Sequence, residues 1–470
     1  MRKLDVNIKK YPSNNLTNPL TTYERFIFQH ELLFYRGEAE TYPISLQQFK
    51  QTDLLSGDNI LHLTARGYDE YHPSKNYPPE SVDAPNSHGE TPLITAVRER
   101  NTKTAVGILR MRPDINLQDH KGNTALHYAI LNHDSNAVGR LCEAGADTSL
   151  RNKKGKSCLH TAAALANVAM LRQIFRKQLE SIKKINIQDH SNATPLLDAT
   201  KKGNAKIIQD LLAKQACTLL ADDDGNTPLH WAVITNNAQT TRLLARISGR
   251  HDPVNQNMDT PLTLAAKKGF GTIFGILIQY SVDWTLGGGF EKTLLHAACQ
   301  SPSPILEFLL RSHIIRYLER NDDNGLTPFH YACSTGNEVA LQKILQHEPD
   351  LRTTNKNGEN PLMSAVINSH YNVCTILLQL PHFKKTINDT NVNGETALHF
   401  AFIIESEEII KLLRLHGATL NTHASAYKFI CQRFTPKGEL LPPPTSCQHL
   451  VKRYRSTKDD EESNPSPMGN

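Results

Sequence analysis

The chain is 470 residues long, 39% hydrophobic and 21% charged, with a formal net charge of +5. No stretch approaches the roughly 18 consecutive apolar residues that a membrane span needs, and a net charge this mild does not mark a nucleic-acid binder. Eight scattered cysteines without a CxxC pair read as free buried thiols in a reducing compartment, not as a disulfide scaffold.

In chain order, the first ten residues lack the apolar run of a secretory signal, so a cytoplasmic location is expected. Residues 1–55 read as an N-terminal helical cap. Within them, Tyr23-Glu-Arg-Phe-Ile-Phe-Gln-His-Glu-Leu-Leu-Phe-Tyr35 has the pattern of an amphipathic helix. Asn59-Ile-Leu-His-Leu-Thr-Ala65 then starts a helix. The segment after it, 68–85, is rich in Pro and polar residues and is expected to be an irregular loop.

The phrase at Asn59 returns along the chain. A small polar residue is followed by Pro or Ala, Leu, often His, and Ala, as in Thr227-Pro-Leu-His-Trp-Ala232. Its first residue falls at Asn59, Thr91, Thr124, Ser157, Thr194, Thr227, Thr260, Thr293, Thr327, Asn360 and Thr396, in steps of 32, 33, 33, 37, 33, 33, 33, 34, 33 and 36. Thr before Pro is a helix start, because the hydroxyl caps a free N–H and Pro at the first helical position loses nothing. Gly or Asn should end that helix, as at Gly203, Asn236, Gly269 and Gly336. A second amphipathic stretch follows, then a tip of the form Asp-x-x-Gly or Asn-x-x-Gly, as at Asp119–Gly122, Asn152–Gly155, Asp222–Gly225, Asp322–Gly325, Asn355–Gly358 and Asn391–Gly394.

This period and phrase resemble the ankyrin-repeat family over residues 56–422. The resemblance implies an all-α solenoid of about ten to eleven repeats, each a helix-turn-helix with a β-hairpin tip. One unit cannot bury its apolar face alone, so stacking supplies the core. The first copy is degenerate. Basic insertions near 178–185 and 380–386 are expected to be surface turns. Residues 423–470 read as a capping helix near 425–434 and a disordered tail. The acidic run Asp459-Asp-Glu-Glu462 in that tail resembles the export signals of ankyrin-repeat effectors that intracellular bacteria secrete into host cells.

Candidate chemistry reduces to repeat positions. Gly155-Lys156-Ser157 imitates the end of a phosphate loop, but Leu150 stands where its first Gly is required, and Ser157 opens a repeat helix. His62, His127, His160, His230, His296, His330 and His399 share one position. Each should bond near its own helix start and brace the next turn, and copies one repeat apart are too distant to share a zinc ion. His296 with Cys299 and His330 with Cys333 should be packed, not reactive. No catalytic residue, metal or cofactor is therefore expected.

In the family the tips and first helices on the concave side grip the ligand. The candidate partner-binding residues are accordingly Lys153 and Lys154, Asp223 and Asp224, Asp323, Lys356, and the aromatics Trp284 and Phe290 that flank three glycines. Mixed charge of this kind suits a protein partner and repels nucleic acid at the acidic tips. The expectation is a monomeric, non-enzymatic scaffold. The alternatives are an adaptor whose C-terminal tail recruits a second machine, and an enzyme with its site in the divergent N-terminal region.

Overall fold

A computed structural model describes residues 57–67, 77, 79–165, 167–177, 184–248, 253–280, 293–427 and 430. The helix expected at 23–35, the capping helix expected at 425–434 and the tail after it are outside this set, except for residues 425–427 and 430. The chain divides into two compact units, 1–217 and 218–470.

The first unit alternates short first helices with longer second helices. Its first helices are α1 (Ile60–Ala65), α3 (Pro92–Arg98), α5 (Ala125–Leu131), α7 (Cys158–Ala164) and α9 (Pro195–Lys201). Its second helices are α4 (Thr102–Arg110), α6 (Ser135–Glu143), α8 (Val168–Lys177) and α10 (Ala205–Ala213). In place of a second helix the first copy has α2 (Pro79–Val82). Part of the segment read as an irregular loop is thus a single helical turn, started by Pro79 and holding Val82 in the core.

The second unit repeats the scheme. Its first helices are α11 (Pro228–Ile234), α13 (Pro261–Lys267), α15 (Leu294–Ala298), α17 (Pro328–Ser334), α19 (Pro361–Ile367) and α22 (Ala397–Ile403). Its second helices are α12 (Ala238–Ser248), α14 (Gly271–Leu277), α16 (Pro304–Leu310), α18 (Glu338–Leu345), α20 (Tyr371–Gln379) and α23 (Glu407–Leu415). A 3₁₀ turn at His313–Tyr317 buries Ile314. The insertion near 380–386 is not a solvated turn: it forms α21 (Pro381–Lys385), because Leu380-Pro381 restarts a helix and Phe383, fully buried, anchors it.

The repeat phrase explains each first helix. In six copies a Thr or Ser hydroxyl and a His three residues later form a reciprocal cap with the backbone; Asn59 does the same through its amide oxygen. At Thr124, His127 Nδ1 accepts from the Thr124 N–H at 3.2 Å and lies 2.9 Å from the Thr124 hydroxyl. The other ring nitrogen then carries the proton. It donates to a carbonyl of the next repeat: His62 to Glu90 at 2.8 Å, His160 to Ala193 at 2.9 Å, His230 to Asp259 at 2.9 Å. His330 Nε2 faces Glu359 but misses hydrogen-bond geometry. Burial lowers the pKa of His62, His127, His160, His230 and His399, and takes His330 to about 4. These rings are neutral braces.

Between the two helices of a copy the chain passes through the left-handed region. Gly203, Asn236, Gly269 and Gly336 do so as expected. Arg100, His133, Ser369 and Glu405 occupy the same place with φ near 60°, so the position tolerates other side chains. An Asn or Asp then caps the second helix, as where Asn101 accepts from Thr104 N–H at 3.2 Å and Asp134 from Ala137 N–H at 3.0 Å. In each unit both helices put Leu, Ile and Ala into the core: Ile94, Leu126 and Leu197 are fully buried in the first, Leu295 and Leu341 in the second. Each such side chain contributes about 1.5–3 kcal/mol.

Candidate functional site

The tips are built from one device. Their first residue turns its side-chain oxygen onto two backbone N–H groups of its own loop. Asp119 Oδ1 accepts from Lys121 and Asn123, Asn152 Oδ1 from Lys154 and Lys156, Asp322 Oδ1 from Asn324 and Leu326, all at 2.8–3.0 Å. The fourth residue has positive φ, at Gly122 (76°), Gly155 (75°), Gly225 (74°) and Gly325 (78°). A Cβ on Gly122 would stand 2.7 Å from Lys153 N, so glycine also lets the next tip approach.

Successive tips are then joined by main-chain hydrogen bonds. In the first unit His120 N–H donates to His88 C=O (2.9 Å), Lys153 to Lys121 (2.9 Å) and His190 to Lys154 (3.3 Å). In the second, Gln256 donates to Asp224 (2.9 Å), Lys356 to Asn324 (2.9 Å) and Val392 to Asn357 (3.0 Å). No strand forms among the described residues. The expected β-hairpin tips are tight turns bridged one to the next, too short for a ladder.

The second carboxylate oxygen of a leading Asp is used as well. Tyr128 OH donates to Asp119 Oδ2 at 2.6 Å, Trp231 Nε1 to Asp222 Oδ2 at 2.7 Å, and Tyr331 OH to Asp322 Oδ2 at 2.9 Å. Burial, then the bond to Asp119, pushes the Tyr128 hydroxyl up to about 12. At Asp189 the nearby group is an ammonium in ion-pair range: Lys156 Nζ lies 3.7 Å from Asp189 Oδ2 and donates to Asp198 at 3.0 Å. Burial alone would raise the Asp189 carboxyl, but the Ser191 hydroxyl, two backbone N–H groups and Lys156 hold it below its ordinary value. The leading carboxylates are thus structural.

Lys153, Lys154, Asp223, Asp224 and Lys356 are exposed on their tips, whereas Asp323 is half-buried. Lys153 sits beside Lys121 on the neighbouring tip, and Asp323 is on the tip next to Lys356. Trp284 and Phe290 lie outside the described residues. Three features escaped the sequence reading: the aromatic tethers, the role of Lys156 between two carboxylates, and the exposed basic residues Lys121, His120 and His190. The tethers did have a signal, since Asp119 and Tyr128, Asp222 and Trp231, and Asp322 and Tyr331 are each nine residues apart.

Among the described residues no group of His, Cys, Asp or Glu is placed to hold a metal ion, and no helix is long and apolar enough to cross a membrane. Cys158, Cys299 and Cys333 are fully buried, and burial raises their thiol pKa values. Cys299 beside His296 and Cys333 beside His330 are thus packed thiols and not activated ones.

Helix pairs with a 33-residue period and bridged tips define a stacked helical-repeat protein whose exposed chemistry is on its turns. The profile of ankyrin repeats in three copies matches residues 74–152, 105–183, 159–255, 262–351, 295–389 and 340–424, and the chain belongs to the ankyrin-repeat family. It is 24% identical over 377 residues to the human transient receptor potential cation channel subfamily A member 1, which covers 70% of this chain and 33% of the channel. It is 32% identical over 199 residues to the mouse B-cell lymphoma 3 protein homolog (41% of this chain, 44% of the relative) and 31% over 150 residues to human neurogenic locus notch homolog protein 1 (32% and 6%). The chain therefore spans less than half the length of each of these relatives. The crystal structure of the ankyrin repeat domain of Bcl-3 superposes with a TM-score of 0.44 at 21% identity, over 48% of this chain and all of that one. Ankyrin arrays generally mediate protein–protein interaction and typically act without catalysis.

Proposed function

We propose that the chain is a non-enzymatic scaffold that binds a partner protein through its tips and the adjoining first helices. One observation carries this reading. The carboxylate and amide groups that lead each tip are spent internally, while Lys153, Lys154, Asp223, Asp224 and Lys356 stand exposed on loops already fixed by main-chain bonds. Loops held in one geometry before binding lose little entropy on binding, and charges of both signs select a complementary protein surface. Asp323 contributes less, since it is half-buried. Trp284 and Phe290 remain candidates as aromatic anchors.

A cytoplasmic setting fits the described cysteines, none of which is in a disulfide. The protein would act there as a monomer, or in a host cytosol if it is exported as an effector.

Pull-down from eukaryotic cell lysate tests the proposal. The intact chain is compared with Lys153→Glu/Lys154→Glu and with Asp223→Lys/Asp224→Lys, each checked for an unchanged melting temperature. A protein recovered by the intact chain and lost with either folded variant is the expected result. Partners held equally by both variants would remove the tips from the site.

A further inference from the structure

We propose that the tips of the first unit, residues 1–217, form a docking strip for an extended Asp/Glu-rich segment of a partner protein. The proposal deepens the scaffold reading and rests on it. Four neighbouring tips expose His88, His120 with Lys121, Lys153 with Lys154, and His190. The bonds from His120 to His88, Lys153 to Lys121 and His190 to Lys154 put these residues side by side in that order.

No exposed carboxylate interrupts the strip. Asp119 is buried and bonded to Tyr128, Asp189 is buried beside Lys156, and Asn152 stands where a third acid could be, bonded to Asn123 Oδ1 at 3.0 Å. Glu90 is also buried and paired with Arg98. These acids face inward, and the titratable side chains that the four tips turn to solvent are Lys and His.

The strip is held rigid as well. Gln118 Nε2 bridges the Gly122 carbonyl of its own tip (2.6 Å) and the Arg151 carbonyl of the next (2.9 Å). Lys121, Lys153 and Lys154, presented on loops of set geometry, match a chain that carries carboxylates at intervals. It fits a polyphosphate less well: charge-driven nucleic-acid binding neutralises roughly six to ten phosphates, and the strip has fewer ammonium groups than that. Its ammoniums are lysines, which lack the planar fork that grips phosphate in two places, and the Arg151 guanidinium beside them has its Nε turned onto the Gly155 carbonyl at 3.0 Å.

The test is fluorescence anisotropy of labelled octaglutamate with the full chain. Lys121→Glu/Lys153→Glu/Lys154→Glu is compared with Lys103→Glu/Arg140→Glu/Lys206→Glu, which makes the same change in net charge on exposed positions of second helices. The expected result is salt-sensitive binding that the tip variant weakens by about tenfold or more and the helix variant leaves within about twofold. Circular dichroism confirms that both are folded. Equal weakening by the two variants, no binding to the intact chain, or tighter binding of a thymidine octanucleotide would each overturn the proposal. A partner captured from lysate and lost on tip reversal would still support the scaffold reading in any of these cases, so the two failures are separable.

Discussion

The two units use one framework under different surface chemistry. In the first, the tips show His120, Lys121, Lys153, Lys154 and His190 to solvent; in the second they show Asp223, Asp224, Gln256, Lys356 and Val392, the last 71% exposed. Beneath them the same parts recur: a leading Asp or Asn closed on its own loop, a fourth residue with positive φ, and a main-chain bond to the next tip. The buried half of a tip serves stacking and the exposed half is free to vary. Family membership is therefore legible in the first half, and any partner is chosen by the second.

The largest effect should come from breaking what the units share. Gly122→Ala places a methyl 2.7 Å from Lys153 N, and Gly325→Ala places one 2.9 Å from Lys356 N; in both cases the obstacle is backbone. Left-handed strain and the clash together should cost about 2–5 kcal/mol. Hydrogen exchange should show lost protection at the altered tip and its next neighbour, with distant repeats unaffected. If either change melts only the far end of its unit, the nearest-neighbour account of the array is wrong.

Acid should separate the units. The unfolded chain protonates His330 near its ordinary value of 6.5, while burial holds the folded ring to about 4. The unfolded state binds more protons in that window, so stability falls as the pH is lowered. The contribution is complete above about pH 6.5 and lost on approach to pH 4, and is worth about 3 kcal/mol for this ring. The same burial lowers His127 and His160 in the first unit. At pH 5, exchange protection across α17 and α18 should fall before that across α5 and α6. His330→Gln should flatten the pH dependence at some cost in stability at pH 7. A melting temperature unchanged between pH 7 and pH 5 would contradict this.

The aromatic tethers give a smaller, matched pair. Tyr128→Phe removes the donor to Asp119 Oδ2 in the first unit and Tyr331→Phe the donor to Asp322 Oδ2 in the second. Each should cost about 1–3 kcal/mol, because a buried carboxylate oxygen loses its bond. Chemical denaturation of the two variants measures the loss. A cost below about 0.5 kcal/mol in both would demote the tether to a bystander.

How far the sequence could be read follows from these parts. The period, the Thr cap and the His brace depend on contacts at short, fixed spacing, so they were visible: His127 bonds three residues back and twenty-nine forward, one copy away. What stayed hidden depends on which of two adjacent acids turns inward. Asp322 is buried and Asp323 half-buried, and the marks of the difference, Gly325 three residues after Asp322 and Tyr331 nine residues after it, take on that meaning only once the fold is seen. The helix at Pro381–Lys385 was missed because a basic insertion looks solvated until Phe383 is seen in the core. The strip in the first unit is half legible: Lys153 and Lys154 are adjacent in sequence, but His120, Lys121 and His190 come from other repeats and only stacking joins them.

The smallest effect runs the other way. The tip Asn255–Met258 breaks the common pattern, since Met258 takes the place of glycine and is held at φ 58°. Its loop closes nonetheless, with Asn255 Oδ1 accepting from Asp259 N–H at 3.0 Å and Gln256 N–H reaching Asp224. A side chain in that region costs about 1–2 kcal/mol, partly offset by the greater freedom glycine has in the unfolded chain. Met258 is half-buried, so its truncation gives back some packing. Met258→Gly should therefore stabilise the second unit by roughly 0.5 kcal/mol, read as a higher denaturation midpoint with an unchanged slope. The same tip carries the backbone bond to Asp224, one of the proposed contact residues, so the variant should also tighten exchange protection at Gln256. A destabilised variant would mean that the Met258 side chain holds the tip more than its backbone strains it, and that the second unit has replaced glycine for packing.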